Sequence, residues 1–221
     1  NLIKENFKNL IINRNRVNGI IEAQKMNYDS VILDDGFQDF TVEKDLSILC
    51  FNQNQLIGNG LVLPSGPLRD SLSSLKNAEV ILINGKKDFA FEKKILNINR
   101  SLKIFYTRYK PIDIEKFKNK KLLAIAGIGN PDNFFKLLLE NGLNIEKKLI
   151  YPDHYEFTEA EILHIIKEAD KNNNQIIMTE KDYYKVKKFK NNKLKYLKVL
   201  LEIDEKKKLL EIISNLHDQN N

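Results

Sequence analysis

Two adjacent acids close an apolar run in "SVILDDGFQDF", Ser30 to Phe40. Asp34 and Asp35 at the end of a hydrophobic strand would deliver carboxylates beside a bound phosphate, where such acids hold a divalent metal or its waters. Left alone, the two like charges raise one pKa, whereas a dication favours the doubly ionised state. Gly36 is expected to turn the chain sharply there. An acidic junction between strand and loop with no ligand is an equally good reading of these residues taken alone.

A second group lies in "LVLPSGPLRD", Leu61 to Asp70, where two prolines and a glycine fix a rigid loop that presents Arg69 and Asp70. Such a loop orders at little entropic cost and can hold a charge against a phosphate; a plain turn with a solvated Arg-Asp pair fits as well. In "YPDHYEF", Asp153 and His154 stand between a strand and a helix. A histidine beside a carboxylate can act as a general base or orient one, or simply make a local hydrogen bond at the helix start. His164, inside "EILHIIKEA", is expected to pack there.

The glycine-rich turn "GIGNPDNFF" resembles an anion site ahead of a helix but lacks the third glycine of a dinucleotide fingerprint. Close packing of strand on helix is its first reading. "MTEKDYYKV" places Glu180, Lys181 and Asp182 at a strand-to-helix junction, where acids are also ordinary helix-start electrostatics.

These residues need elements to position them. Apolar runs in "NLIIN", "SVILDD", "LSILCF", "AEVILING" and "LKIFYTRY" alternate with amphipathic stretches, the first near Val17 to Met26. Continuous rather than alternating apolar strands predict a mainly parallel sheet covered on both faces, hence an α/β fold. After the polar "KPIDIEKFKNKK" the pattern restarts: Asn130 caps a helix with Pro131 first and Gly142 at its exit, and Thr158-x-x-Glu161 is a capping box. Strands "QIIMT" and "YLKVLLEI" and a terminal helix near Glu205 to Leu216 follow. The expected division is residues 1–110, a linker at 111–121, a smaller α/β domain at 122–202, and a helical tail at 203–221.

With 221 residues and 42% hydrophobic content, one large or two small cores are possible. The only cysteine, Cys50, cannot form an internal disulfide and is expected to be a buried thiol in a reducing compartment. No apolar run approaches the roughly 20 residues of a membrane span. The formal charge of +6 suits anionic partners, but nearly all of it is dispersed lysine. Arginine is the better phosphate fork and is scarce, so Arg14, Arg16, Arg69, Arg100 and Arg108 are each more informative than any lysine. A basic α/β module that binds nucleotide or nucleic acid without catalysis is the alternative class. The absence of aromatics interleaved on a basic stripe argues against nucleic acid.

In their order, "ILDDGFQ", "VLPSGPLRD", "AGIGNP", "YPDHYEFT" and "MTEKD" resemble one family, tetraacyldisaccharide 4'-kinase, the lipid A 4'-kinase of Gram-negative bacteria. The resemblance implies the C-terminal part of a P-loop-type parallel-sheet domain joined to a smaller α/β domain. It implies transfer of the ATP γ-phosphoryl group to the 4'-hydroxyl of a tetraacylated glucosamine disaccharide 1-phosphate, with ATP and Mg²⁺ as cofactors. The implied catalytic residues are His154, Asp35 and Asp34. Arg16, Arg69 and Gln38 would contact phosphate or substrate, and Asp34, Asp35 and Asp70 would serve the metal. His154 would support a carboxylate base. The implied partners are the lipid A precursor and the cytoplasmic face of the inner membrane, bound peripherally, with no nucleic acid and no obligate protein partner. Asp70 stands where the family has Glu, and Asp39 where it has His. Neither Gly-x-x-x-x-Gly-Lys-[Ser/Thr] nor Gly-Asp-Glu-Pro occurs in the chain, and its first residue is Asn. The expectation is that both segments lie upstream of Asn1 and that the chain as given is catalytically silent.

Overall fold

The computed structural model describes residues 7–219. The chain forms two compact units. One holds Tyr109–Leu200 with the described residues before Ile11, and the other holds Ile11–Arg108 with the chain from Leu201 onward.

In the Ile11–Arg108 unit, helix α1 (Arg16–Lys25) starts at Asn15, whose side chain accepts the Asn18 N–H. Strands β1 (Ile48–Asn52) and β2 (Val80–Asn84) are followed by helix α2 (Phe89–Leu96), capped by Asp88, and by β3 (Lys103–Ile112). β1 pairs with β2 and β2 with β3, both parallel. The period of two along β2 divides its side chains between two cores. Ile81 and Ile83 pack with Phe91 and Ile95 of α2, while Val80 packs with Phe105 and with Leu209 of the terminal helix α6 (Lys206–Gln219).

The Tyr109–Leu200 unit contains β4 (Lys121–Ala126), α3 (Pro131–Glu140), β5 (Asn144–Ile150), α4 (Glu159–Lys171), β6 (Gln175–Thr179), α5 (Glu180–Val186) and most of β7 (Lys195–Ile203). β4 lies between β5 and β6, and β6 pairs with β7, all parallel. β4 is buried on both faces: Leu122, Ala124 and Ala126 meet Phe134, Phe135 and Leu138 of α3. Leu123 and Ile125 meet Ile162, Ile165 and Ile166 of α4. Each leucine, isoleucine and phenylalanine among them contributes about 1.5–3 kcal/mol on burial. Asn130 and Pro131 start α3, Gly142 takes φ +74° just past its end, and the Thr158–Glu161 capping box closes in both directions.

The expectation of an α/β fold with mainly parallel strands holds, with cover on both faces at β2 and β4, and several local expectations do not. "NLIIN" and "SVILDD" form no strand: Ile32 is 98% exposed and no described strand pairs with it. A strand exists only where a neighbour takes its N–H and C=O groups. The element expected from residue 1 begins outside the described residues. Cys50 is exposed rather than buried. β1 pairs only with β2 among the described residues, and Ile48 and Cys50 share its open face. His164 is also exposed, because the buried stripe of α4 runs through Ile162, Ile165, Ile166 and Ala169. The segment read as a linker includes the end of β3 and a 3-10 turn at Ile114–Phe117.

Candidate functional site

The Asp34–Asp35 turn is organised by two arginines. Arg69 Nη1 lies 2.5 Å from Asp35 Oδ1. Arg16, the first residue of α1, donates through Nη2 to the carbonyls of Asp34 and Asp35 at 3.3 and 2.9 Å. Its Nη1 reaches Asp39 Oδ2 at 2.9 Å. The Arg69 guanidinium holds the Asp35 carboxyl below the usual range by hydrogen bonding and charge, with Arg16 adding to it. The left-handed residue of the turn is Asp35, at φ +53°, rather than Gly36. Asp is one of the types that tolerates this region. Gly36 is needed for space instead, since a Cβ there would lie 2.6 Å from Leu33 Cβ.

Asp39 has a structural part that the sequence did not disclose. Its Oδ1 accepts from the Thr41 hydroxyl and backbone N–H at 2.5 and 2.9 Å, and Lys44 donates to its carbonyl at 2.6 Å. The Thr41 hydrogen bonds, with Arg16 beyond them, hold its carboxyl down at about 2. Asp39 thus anchors Arg16, which in turn fixes the paired acids.

Arg69 is delivered by the loop from Leu61, which closes on itself: Leu63 N–H donates to Leu68 C=O at 2.8 Å and Leu68 N–H to Leu61 C=O at 3.2 Å. A side chain at Gly66 would run into the Leu61 carbonyl oxygen, so only glycine fits. Asp70 accepts the Ser71 N–H at 2.7 Å, and Gln38 is half-buried beside the turn. Asp34, Asp35, Gln38, Arg69 and Asp70 all line a hollow of about 1750 Å³ within this unit. The structure therefore gathers these sequence-predicted residues into one place, with Arg16 behind the turn.

His154 belongs to the other unit, where the loops after β4, β5 and β6 gather at the carboxyl ends of parallel strands, the usual ligand end of such sheets. His154 adopts φ +62°, and its side chain is 79% exposed. Asp153 Oδ1 accepts the His154 backbone N–H at 2.9 Å and the Lys181 ammonium at 2.8 Å. Its Oδ2 stays 3.7 Å from His154 Nε2, beyond hydrogen-bond reach. The Lys181 hydrogen bond is the main reason the Asp153 carboxyl sits below its ordinary value. The same loop is braced by Tyr151, Tyr155 and Phe157, whose ring centroids lie 4.8–5.1 Å apart. Tyr155 also donates to Glu161 of the capping box at 2.5 Å.

Asp182 is the residue whose part the sequence understated. Rather than a solvated acid at a helix start, it is fully buried. Oδ2 accepts the Gly127 N–H at 2.8 Å and the Thr179 hydroxyl at 2.6 Å, and Oδ1 meets Lys185 Nζ at 3.0 Å. Lys185 also reaches the Gly127 carbonyl at 3.4 Å. Both backbone groups of Gly127 are thus taken by one buried ion pair. The sequence signal was the coincidence of "AGIGNP" and "MTEKD", each ending a parallel strand.

A family model for tetraacyldisaccharide-1-P 4'-kinase matches residues 1–218. The tetraacyldisaccharide 4'-kinase of Pelagibacter ubique is 38% identical over 214 residues, covering 96% of this chain and 68% of the relative. That of Francisella philomiragia is 34% identical over 204 residues, 87% of this chain and 62% of the relative. That of Haemophilus influenzae is 32% identical over 211 residues, 95% of this chain and 61% of the relative. The crystal structure of LpxK from Aquifex aeolicus in complex with ATP has a similar fold, with a TM-score of 0.64 at 20% identity, over 90% of this chain and 61% of that one. The chain thus spans 61–68% of the length of these relatives.

Proposed function

This chain belongs to the tetraacyldisaccharide-1-P 4'-kinase family, and we propose that the protein transfers the ATP γ-phosphoryl group to the 4'-hydroxyl of a tetraacylated glucosamine disaccharide 1-phosphate. The observation that carries this reading is the convergence of Arg16 and Arg69 on the Asp34–Asp35 turn. Phosphoryl transfer asks for positioning and charge neutralisation more than for covalent chemistry. Adjacent carboxylates and the Arg69 guanidinium in an open hollow, with Arg16 behind the turn, supply both kinds of charge.

Arg69, 57% exposed, swings from Asp35 to a phosphate oxygen, while Arg16 remains on the backbone of the turn and keeps the acids in place. Gln38 offers a neutral amide beside them, and Asp70 a further carboxylate. Among the described residues, no group of three or more His, Cys, Asp or Glu side chains is arranged to hold a metal. Mg²⁺ does not need one, because substrate phosphates and waters fill most of its octahedron and one or two carboxylates suffice. Asp34 and Asp35, with Asp70 in the same hollow, fit that donor requirement. Bound there, Mg²⁺ would neutralise the phosphate charge. His154, whose Nε2 lies 3.7 Å from Asp153 Oδ2 without a hydrogen bond to it, orients the base that takes the acceptor proton.

No described helix is long and apolar enough to cross a membrane. An acylated acceptor would bring the reaction to a membrane surface, and ATP as donor to the cytoplasmic face of the inner membrane, with the protein bound peripherally. The test is transfer of radiolabel from γ-labelled ATP to the lipid disaccharide monophosphate by the full-length natural protein. Label must appear at the 4'-position and depend on added Mg²⁺. Transfer to nucleosides or proteins in preference to the lipid would reject the reading.

A further inference from the structure

Lys181 and Asp182 are consecutive residues in the first turn of α5, and they grip two neighbouring loops. Lys181 holds the Asp153 carboxylate of the loop after β5. Asp182 holds Gly127 of the loop after β4. The two loops are in contact: a Cβ built on Gly127 would lie 3.4 Å from both the Pro152 carbonyl oxygen and Tyr151 Cβ, and one on Gly129 would lie 3.6 Å from Asp153 Oδ2. The Tyr151 N–H donates to the Ala126 carbonyl at 3.0 Å and completes the seam.

His154 gains its geometry from this frame. A left-handed histidine needs its backbone stabilised locally, and Asp153 does so by accepting the His154 N–H with the same oxygen that Lys181 engages. With Oδ1 occupied twice, Oδ2 is parked out of reach of the imidazole. A carboxylate released by Lys181 could rotate onto the ring and divert it.

We infer that Lys181 and Asp182 are positioning residues for His154, Lys181 by fixing the Asp153 carboxylate and Asp182 by fixing the Gly127–Gly129 loop on which that segment rests. The consequence for turnover rests on the kinase reading; the brace itself does not. Neither residue is assigned a contact with substrate.

Asp182 is buried and its replacement can unfold the unit, so the decisive variants are Lys181→Met, which keeps the aliphatic stem, and Lys181→Arg, which keeps the charge. In this chain, carbon NMR of the Asp153 carboxylate follows its titration. Lys181→Met should move the midpoint upward toward the unperturbed 3.8, and Lys181→Arg should leave it depressed. An unmoved midpoint in Lys181→Met overturns the brace. In the full-length protein with MgATP and the lipid disaccharide, Lys181→Met should lower kcat about tenfold with both KM values within about twofold, and Lys181→Arg should restore it. A shifted titration with unchanged kcat, or a rise in KM alone, overturns the positioning role. If the wild-type protein transfers no phosphate, the kinase reading fails, while the carboxylate titration still decides the brace.

Discussion

Arg69 Nη1 lies 2.5 Å from Asp35 Oδ1 although the two residues are 34 positions apart, so the turn of paired acids and the Gly66 loop meet at one ion pair. Both side chains are largely exposed, and a surface ion pair of this kind adds little to stability. Its value lies in where it holds the charge.

Asp35→Asn tests that directly. Asn also tolerates the left-handed φ of +53° at this position, so the backbone survives the change. Turnover of the full-length protein should fall about a hundredfold or more, as losses of transition-state charge stabilisation do. The melting temperature should stay within about 2 °C of wild type. Near-normal turnover would remove Asp35 from the metal and phosphate machinery.

The acid limb of stability should carry the signature of Asp39. Its carboxyl is depressed to about 2 in the folded chain, against 3.8 for an unperturbed aspartate. A depressed folded pKa means that the unfolded state takes up the proton first. The contribution is therefore complete above about pH 4 and is lost as pH falls from there through about 2. Asp39→Asn should flatten this part of the melting-temperature profile and weaken the hold on Arg16, lowering turnover at neutral pH as well. A profile with an undiminished acid slope between pH 4 and 2 would show that other carboxylates dominate it.

What the sequence made legible is what is decided within a few residues. Asn130, Pro131, Thr158 and Glu161 announce their helices because a cap is a local bargain between one side chain and the nearest free N–H groups. The apolar runs of β2 and β4 announce burial on both faces for the same reason. Whether Ile48 and Cys50 face a neighbour, or whether Val31 and Ile32 have a strand to pair with, is settled by other parts of the chain. Composition cannot carry that information. The candidate site divides the same way: Asp34, Asp35, Gln38, Arg69 and Asp70 were legible as types and do share one hollow. The roles of Asp39 and Asp182 were not, because each depends on partners the local pattern does not name. Asp182 takes the N–H of Gly127, 55 residues away.

Gly66→Ala separates the loop from the ion pair it delivers. The added methyl would collide with the Leu61 carbonyl, so the closed turn from Leu61 to Leu68 must open and Arg69 must leave Asp35. Leu68 at the end of that turn packs on the margin of the cluster of Ile81, Ile83, Phe91 and Ile95, whose own strand and helix should keep their structure. We expect far-ultraviolet circular dichroism like that of wild type, with kcat/KM reduced about tenfold or more through lost positioning. Full activity in Gly66→Ala would mean that Arg69 reaches its target without this loop geometry.

The buried pair of Asp182 and Lys185 should behave very differently from the exposed pair of Asp153 and Lys181, and the contrast can be measured in denaturant. Asp182→Ala removes a fully buried carboxylate. It leaves the Gly127 N–H without its acceptor and Lys185, only 13% exposed, without its counter-charge. Breaking one partner of a buried pair costs about 3–5 kcal/mol, because the survivor stays desolvated and unpaired. Asp153→Ala breaks a pair whose side chains are each about 40% exposed and whose charges water can take over, so the loss should stay under about 1 kcal/mol. In urea, Asp182→Ala should lower the unfolding midpoint sharply and Asp153→Ala barely. The double variant Asp182→Ala with Lys185→Met should recover part of the loss, since it removes the stranded ammonium. Equal midpoints for Asp182→Ala and wild type would mean that water reaches the Gly127 amide and that the clamp holds nothing.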